Sequence, residues 1–454
     1  MVRVGGLAEA ASGLVKALRA DGVEVVVAVP DYFGTPLRDT QIIALTVPDW
    51  LGPATARLGD LDGFGPVALI DGPGIARPHP YMRPDGQLGW DDNDKRFIGF
   101  SAACAALAVA FDVELVHAND WHTAATFAFL APSISTVFGL HNLAYQGECD
   151  IGWTRGFPRH GAAYEHRGAC NPLAGALRVA DRVVAVSPTY AKEITTQEHG
   201  AGLDDTLRER GRALLGIRNG IDVSEWNPAT DRHLPRPYGA NAVSSDASAK
   251  HLLRRQLRDR FGLIETEGPL IGMITRLVHQ KGLDLVIGLG PFLTSVDAQL
   301  LVLGSGDPAI ADQLTRLARD HPDRVAFFEG YDVALSHQVC AGADLYLMPS
   351  RFEPCGLGQM QAMEYGTIPI VTDVGGLHDT VIDADVDPVR GTGFVAKTLD
   401  LAGVVDALHR SVRAWNNIPR RVDIIGRGMR TDWSWSQPAR WYRELYEALT
   451  AGRA

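Results

Sequence analysis

The sequence has little that would place the protein in or on a membrane. No apolar run approaches the roughly 18 residues of a spanning helix, and the N-terminus lacks a signal-peptide arrangement. The net charge of −11 also disfavours nucleic acid and anionic membrane surfaces as partners, because a polyanion would be repelled. We therefore expect a soluble cytoplasmic protein, in which only a local basic cluster would receive a small anion.

Motifs for metals and dinucleotides are missing as well. The five cysteines are scattered and contain no CxxC pair, which is typical of a reduced cytosolic protein and gives no zinc site. The stretch GSGDPA at 304–309 has two glycines but no third at the place that a dinucleotide fingerprint requires. These absences disfavour both zinc and NAD chemistry.

What the sequence does contain is a repeated alternation of short apolar runs and helical patterns. Such runs, ending in small or polar residues, are typical of a parallel sheet that is covered on both faces. A length of 454 residues favours roughly two or three domains, and both halves are predicted to be doubly wound α/β domains. The predicted strands lie in 23–30, 113–120, 134–142 and 181–188, and then in 268–276, 298–306, 323–331, 343–350 and 368–376.

A Gly-Gly-Leu sequence occurs in each half, within 4–10 and within 374–380. Chance is one explanation, since the chain has 48 glycines. The other is a pair of turns at helix N-termini, where free N–H groups and the helix dipole favour anions. Because ligands of open α/β sheets bind beyond the carboxyl ends of the strands, two such domains facing each other would form a cleft with one turn on each wall.

Charged and aromatic residues follow predicted strands of the second half. Arg276 and Lys281 come just beyond one strand end, where a guanidinium and an ammonium suit a diphosphate. A solvated loop with two ordinary charges is the alternative. Tyr331 follows another strand, where it either stacks on a nucleotide base or is an ordinary core or surface tyrosine.

Polar residues follow consecutive strands of the first half. They are His117, Asp120, His122, His141 and Asn142. We interpret His117 and His122 as core histidines that hydrogen-bond to the backbone. A metal triad is disfavoured, because the spacing matches no zinc pattern.

Glu353 is the carboxylate in the least expected place. It lies in PSRFEPCGLGQ, residues 349–359, directly after an apolar run, and its neighbours suit neither a helix interior nor a strand. This segment, together with RLVHQKGLD, HNLAYQG, VSPTYAKEI, NGIDVSEWNPATD and GGLHDTV, resembles bacterial glycogen synthase and plant starch synthase from residue 3 to about residue 445. The resemblance implies a retaining glucosyltransferase with the GT-B fold, in which two doubly wound Rossmann-like domains face each other across a cleft. Many other GT-B enzymes carry a second glutamate where this chain has Gln361, which favours the starch synthase branch.

The resemblance also implies a site, residue by residue. Glu353 would lie beside the donor glucose and assist reaction at its anomeric carbon, and Arg276 and Lys281 would hold the diphosphate. Tyr331 would stack on adenine, while His141 and Asp120 would face the glucose from the first domain, with Asn142 nearby. The remaining implied contacts to phosphate and sugar are Cys355, Gly356, Leu357, Gly375 and Gly376, together with Arg3, Gly5 and Gly6 in the family's Lys-x-Gly-Gly-Leu place.

The implied substrates are ADP-glucose and an α-1,4-glucan such as glycogen. Loss of the nucleotide gives an oxocarbenium-like sugar and a diphosphate with added negative charge, which dipoles, carboxylates and cations stabilise. The scheme needs no covalent sugar adduct, metal or other cofactor, because Arg276 and Lys281 supply the positive charge. The implied domains are 1–218 on the acceptor side, 219–432 for the nucleotide sugar, and a C-terminal helix in 433–454 that returns to the first domain. A Pro-, Asn- and Ser-rich stretch at 218–250 is the predicted connector.

Four positions depart from the family pattern. Arg3 and Ala174 stand where the family has Lys, and Gly358 and Val374 stand where it has Thr. These departures support an alternative, a catalytically weak homologue that binds glucan or nucleotide in a regulatory role. A transferase that uses another nucleotide sugar is the third possibility, and both ADP- and UDP-glucose stay open as donors.

The N-terminus is short for this family. Only Met1 to Val4 precede Gly5, too few residues for both a strand and its turn. We therefore expect the first domain to lack its first strand and the natural start to lie upstream.

Overall fold

The computed structural model describes residues 6–32, 34–80, 83, 89–240 and 249–452. Arg3, Gly5 and the expectation about the first strand lie outside these ranges. The chain divides into two compact units, which are Met1–Asn219 with Trp435–Ala454 (unit 1) and Gly220–Ser434 (unit 2). Among the helices of the described ranges, none is long and apolar enough to cross a membrane.

Unit 1 contains ten strands in the described ranges, and eight of them form two four-stranded sheets. The strands are β1 (Val27–Pro30), β2 (Arg38–Leu45), β3 (Ala54–Leu61), β4 (Gly65–Asp71), β5 (Leu115–Asn119), β6 (Ser135–Leu140), β7 (Glu165–His166), β8 (Ala169–Cys170), β9 (Arg182–Ala185) and β10 (Leu214–Gly216). One sheet has the order β10-β9-β6-β5 and is parallel throughout. The other has the order β1-β4-β3-β2, in which β1 and β4 are parallel and β2, β3 and β4 form an antiparallel meander.

The meander was not predicted from the sequence, in which no strand was assigned between residues 31 and 112. Strand β2 is exposed along most of its length, so it carries no clear apolar pattern. Strand β4 has a buried Val67–Ile70 run, a signal that was present in the sequence and was missed. The four strand predictions made for this half each contain a strand, namely β1, β5, β6 and β9.

The helices of unit 1 cover these sheets. They are α1 (Gly6–Ala20), α2 (Asn93–Ala110), α3 (Trp121–Ala124), α4 (Trp153–Gly156), α5 (Pro172–Val179), α6 (Pro188–Glu193), α7 (Asp204–Arg210) and, from the C-terminus, α17 (Ser436–Thr450). Helix α1 buries Ala10, Leu14 and Leu18, which recur at helical spacing and pack in one cluster with Trp435 and Tyr442. The C-terminal helix is therefore part of the core of unit 1.

Unit 2 is built on one six-stranded parallel sheet in the order β13-β12-β11-β14-β15-β16. Its strands are β11 (Leu270–Leu277), β12 (Gln299–Gly306), β13 (Val325–Glu329), β14 (Leu345–Met348), β15 (Ile368–Thr372) and β16 (Phe394–Ala396). Its helices are α8 (Ala249–Phe261), α9 (Leu283–Ile287), α10 (Gly290–Ser295), α11 (Pro308–Asp320), α12 (Val333–Gly342), α13 (Gly358–Glu364), α14 (Gly375–Thr380), α15 (Leu401–Trp415) and α16 (Ile418–Arg430). Because β11 pairs with β14 in parallel, the loops that follow these two strands leave the same edge of the sheet.

Candidate active site

Glu353 lies in the loop after β14 and is almost completely buried, with 6% of its surface exposed. Its Oε2 lies 2.5 Å from Nζ of Lys281, and it accepts a hydrogen bond of 2.8 Å from Oγ of Ser350. A buried carboxylate is costly unless it is paired and hydrogen-bonded, and both conditions are met here. The loop therefore holds a fixed negative charge at the edge of the sheet.

The backbone explains how Lys281 reaches this carboxylate. Gly282 has φ of +66°, and a Cβ at that position would lie 2.0 Å from the carbonyl oxygen of Pro349. Only glycine allows the loop after β11 to approach the loop after β14 so closely. Gln280 then donates a hydrogen bond of 2.8 Å from Nε2 to the carbonyl of Phe352, which ties the two loops together.

A second glycine turn packs against the Glu353 loop. The amide of Gly376 donates to the carbonyl of Glu353 at 3.0 Å, and a Cβ on Gly376 would lie 2.0 Å from the carbonyl oxygen of Cys355. From the other side, Nε2 of Gln359 donates to the carbonyls of Cys355 and Gly356. The predicted residues of the 353–357 turn and the Gly375-Gly376 turn thus form one locked structure within unit 2.

Arg276 and Tyr331 present exposed side chains at the same edge. Arg276 is the last but one residue of β11 and is exposed. Tyr331 follows β13 and exposes 69% of its surface. In unit 2, the structure brings together Lys281, Glu353 and the two glycine turns through direct contacts. Arg276 on β11 and Tyr331 after β13 lie on the two sides of β12 in the sheet order.

In unit 1, Asp120 organises the residues that follow β6. Its Oδ1 accepts hydrogen bonds from the amides of His141 at 2.8 Å and Asn142 at 3.2 Å. Asp120 itself has φ of +53°, a conformation that costs energy for a residue other than glycine and is often found at functional sites. Burial raises the pKa of Asp120 to about 7, although the two amide hydrogen bonds act in the opposite direction.

His141 is held as a neutral imidazole. Burial lowers its pKa to about 3, and the nearby His117 acts in the same direction. Its Nε2 lies 2.8 Å from Oδ1 of Asn119, an oxygen that can only accept, so Nε2 carries the proton. Gly6, the remaining described prediction in this unit, begins α1, and a Cβ added there would have no atom within 4 Å.

His117 and His122, which we interpreted as core histidines, are half-buried in the structure. Burial lowers the pKa of His117 to about 4 and that of His122 to about 3. The hydrogen-bond partner of His117 is however the hydroxyl of Tyr446 in α17, at 2.7 Å, and not the backbone. Over the described ranges, no group of three His, Cys, Asp or Glu side chains is arranged to hold a metal ion.

Several supporting residues were missed by the sequence analysis. Ser350, Gln280 and Gln359 hold the Glu353 loop, and Asn119 orients His141. Ser350 and Gln359 were within the quoted motif, but their roles depend on contacts that a linear sequence does not show.

Two of the departing positions are explained by packing. A Cβ at Gly358 would lie 2.8 Å from the hydroxyl oxygen of Tyr346, so the phenol fills the space that a threonine side chain would need. Ala174 is fully buried in the first turn of α5, where its amide donates to the side chain of Asn171. Val374 precedes the first residue of α14 and is almost completely buried; nothing in the structure explains the absence of a hydroxyl there.

The fold and these loops define the class of protein. Residues 1–209 match the starch synthase catalytic domain family, and residues 255–426 match the glycosyl transferases group 1 family. A solved structure of sucrose-phosphate synthase from Thermosynechococcus elongatus superposes with a TM-score of 0.62 at 20% identity, covering 99% of this chain and 94% of that one, which shows the fold alone. The chain is a glycosyltransferase with the GT-B fold.

Closer relatives define the family. The glycogen synthase of Halorhodospira halophila is 40% identical over 100% of this chain and 97% of its own length. The catalytic domain of starch synthase IV from Arabidopsis thaliana, solved with ADP and acarbose, is 32% identical with a TM-score of 0.87, covering 99% of this chain and 97% of that one. The chain belongs to the glycogen synthase family and is a hexosyltransferase.

Proposed function

We propose that the chain transfers glucose from ADP-glucose to the non-reducing end of an α-1,4-glucan such as glycogen, with retention of configuration. The observation that carries the proposal is the buried Glu353 carboxylate, held by Lys281 and Ser350 beside two locked glycine turns. The ADP and acarbose bound by the Arabidopsis starch synthase support a nucleotide-sugar donor and a glucan acceptor.

The unit 2 residues have roles that follow from their charge. Arg276 and Lys281 bind the diphosphate and stabilise the charge that it gains when the glycosidic bond breaks. The amides of Cys355, Gly356 and Leu357 and the Gly375-Gly376 turn approach phosphate and sugar. Tyr331 offers an exposed ring to the adenine. Glu353 supplies a negative charge near the anomeric carbon as positive charge develops there.

The unit 1 residues serve the same reaction from the glucose side. Asp120 uses Oδ1 to fix the backbone of His141 and Asn142, so we assign it to positioning as much as to direct contact. His141 is neutral and therefore acts by hydrogen bonding. Arg3, Gly5 and Gly6 complete the proposed donor contacts.

The domain roles are part of the proposal. Residues 1–218 form the acceptor-side domain, residues 219–432 the nucleotide-sugar domain, and 433–454 the returning helix. We also propose a cytoplasmic location, which the thiol state of the five cysteines supports.

The test is a donor screen with product analysis. Radiolabelled glucose from ADP-, UDP- and GDP-glucose is offered with glycogen, and the labelled product is digested with β-amylase, which releases maltose from the non-reducing ends of α-1,4-glucans. We expect the highest kcat/KM with ADP-glucose and release of all label as maltose. Preference for another donor, or glycogen binding without transfer, would contradict the proposal and favour the nucleotide-sugar or regulatory alternative.

A further inference from the structure

Two cysteines that have no part in the proposed reaction lie opposite each other in unit 1. Cys149 and Cys170 form an antiparallel β-bridge in which each backbone amide donates to the carbonyl of the other, at 2.8 and 3.1 Å. Residues that exchange both hydrogen bonds have Cα atoms about 5.5 Å apart. A disulfide needs a Cα separation of about 4.4–6.8 Å, and the usual separation for a pair of this type falls within that range.

The side chains as well as the backbones meet. The two side chains affect each other's ionisation: the interaction raises the pKa of the Cys149 thiol and lowers that of Cys170, and both cysteines are free thiols in this structure. Cys170 is fully buried, whereas Cys149 is partly exposed. A solvent-borne oxidant therefore has access to Cys149, although the raised pKa of this thiol slows its oxidation, and Cys170, whose pKa is lowered, is the better nucleophile to attack the oxidised sulfur.

We propose that Cys149 and Cys170 are a reversible redox site, at which a hydroperoxide converts the two thiols into a disulfide. Peroxide oxidises the Cys149 thiol to a sulfenic acid with release of one water, and the Cys170 sulfur then forms the S–S bond with release of a second water. In sum, two thiols and one hydrogen peroxide give one disulfide and two waters. A dithiol reductant restores the thiols.

The bridge would join two segments that already support the site. Cys149 ends the segment that begins at His141, and Cys170 directly precedes Asn171, the N-cap of α5. Nδ2 of Asn171 donates to Oε1 of Gln146 at 2.7 Å, so the segments are in register before oxidation. The disulfide would close residues 150–169 into a covalent loop and stabilise the fold without displacing His141.

The test treats the reduced protein with hydrogen peroxide and maps the product. Cleavage after Glu148 and Glu165 separates Cys149, in fragment 149–165, from Cys104, and places Cys170 in fragment 166–193. We expect a mass loss of about 2 Da, consistent with two thiols joined in one S–S bond, and a link between these two fragments. Three results would overturn the proposal: a disulfide between two protein molecules, oxidation to sulfinic acid without the Cys149–Cys170 disulfide, or unreacted thiols at both positions.

The second readout is stability and turnover. The oxidised protein should melt several degrees higher, return to its original melting temperature with dithiothreitol, and keep its transferase turnover within about twofold. Cys149→Ser and Cys170→Ser should abolish the shift, and Cys104→Ser, which removes a half-buried thiol in α2, should preserve it. An unchanged melting temperature or a large loss of turnover on oxidation would show that the bridge does not form in the native geometry.

Discussion

At the scale of single residues, Glu353 is the side chain on which the proposed chemistry depends. Its neighbours are already arranged around a negative charge, because Lys281 and Ser350 both donate to Oε2. Such preorganised groups act without reorganisation when charge develops in the transition state. A neutral amide of the same shape would keep the fold but lose the charge.

We therefore expect Glu353→Gln to fold and bind ADP normally while losing turnover by roughly 10²–10³, or about 2.7–4 kcal/mol of barrier. Transfer kinetics and ADP calorimetry measure the two effects separately. The control is Glu265→Gln in the same unit. Glu265 pairs with Arg258, but its side chain lies on the surface. If Glu353→Gln keeps more than half of the wild-type turnover, the Glu353 carboxylate does not take part in the reaction.

Arg276 permits a test of the diphosphate assignment. Arg276→Ala should raise the donor KM far more than the acceptor KM, and Arg276→Lys should not restore it, because the planar fork of the guanidinium is lost. Arg319→Ala, which removes an exposed guanidinium on α11, serves as the control. Equal damage to donor and glucan kinetics would contradict the assignment. Lys281→Ala should lower turnover as well, since it also leaves Glu353 without its cation.

At the scale of elements, the alternation of apolar runs and helices predicted the strands of unit 2 apart from β16. Parallel strands that are buried along most of their length, such as β12, have continuous apolar sequences, whereas β16 is three residues long and gives no periodicity. The motif residues could be placed at strand ends for the same reason. The contacts between elements could not, because Gly282 against Pro349 and Gly376 against Cys355 are distant in sequence and visible only in the fold.

The pair Gly358 and Tyr346 shows what such contacts imply for substitution. Compared with the family pattern, Gly358 lacks the hydroxyl of a threonine. In the fold, the glycine leaves space for the phenol of Tyr346, whose Oη and Cε1 would lie 2.8 and 3.1 Å from an added Cβ. Tyr346 is 2% exposed and cannot move outward. Overpacking of a buried site typically costs about 1–3 kcal/mol.

We expect Gly358→Thr alone to destabilise the protein by overpacking, and Tyr346→Leu alone to destabilise it by leaving a cavity. In the double variant the threonine occupies the vacated space, so the two changes should be less than additive, with a coupling of about 0.5–3 kcal/mol. Urea unfolding of the four proteins measures this coupling. Strict additivity would show that the two side chains do not share the space.

At the scale of the whole molecule, unit 1 carries an uneven set of buried titratable groups. Burial lowers the pKa of His117 to about 4, and those of His122 and His141 to about 3, from an ordinary value of 6.5. Burial raises the pKa of Asp120 to about 7 from an ordinary 3.8. The histidines stabilise the folded unit above pH 6.5 and lose this contribution as the pH falls, whereas Asp120 favours the folded unit at low pH and opposes it as the pH rises towards 7.

Acidification should therefore destabilise unit 1. Between about pH 6.5 and 4 the unfolded chain binds up to three more protons on His117, His122 and His141, while the folded unit binds one more on Asp120. The net difference of two protons predicts a loss of up to about 2.7 kcal/mol of stability per pH unit, twice the 1.36 kcal/mol of a single proton. This slope can be measured for unit 1 by urea unfolding at several pH values, in which hydrogen exchange at the amides of Ser135–Leu140 in β6 monitors the unfolding. Replacing one imidazole in His122→Gln should halve the slope, and stability that stays constant or rises on acidification would show that these histidines are not held neutral.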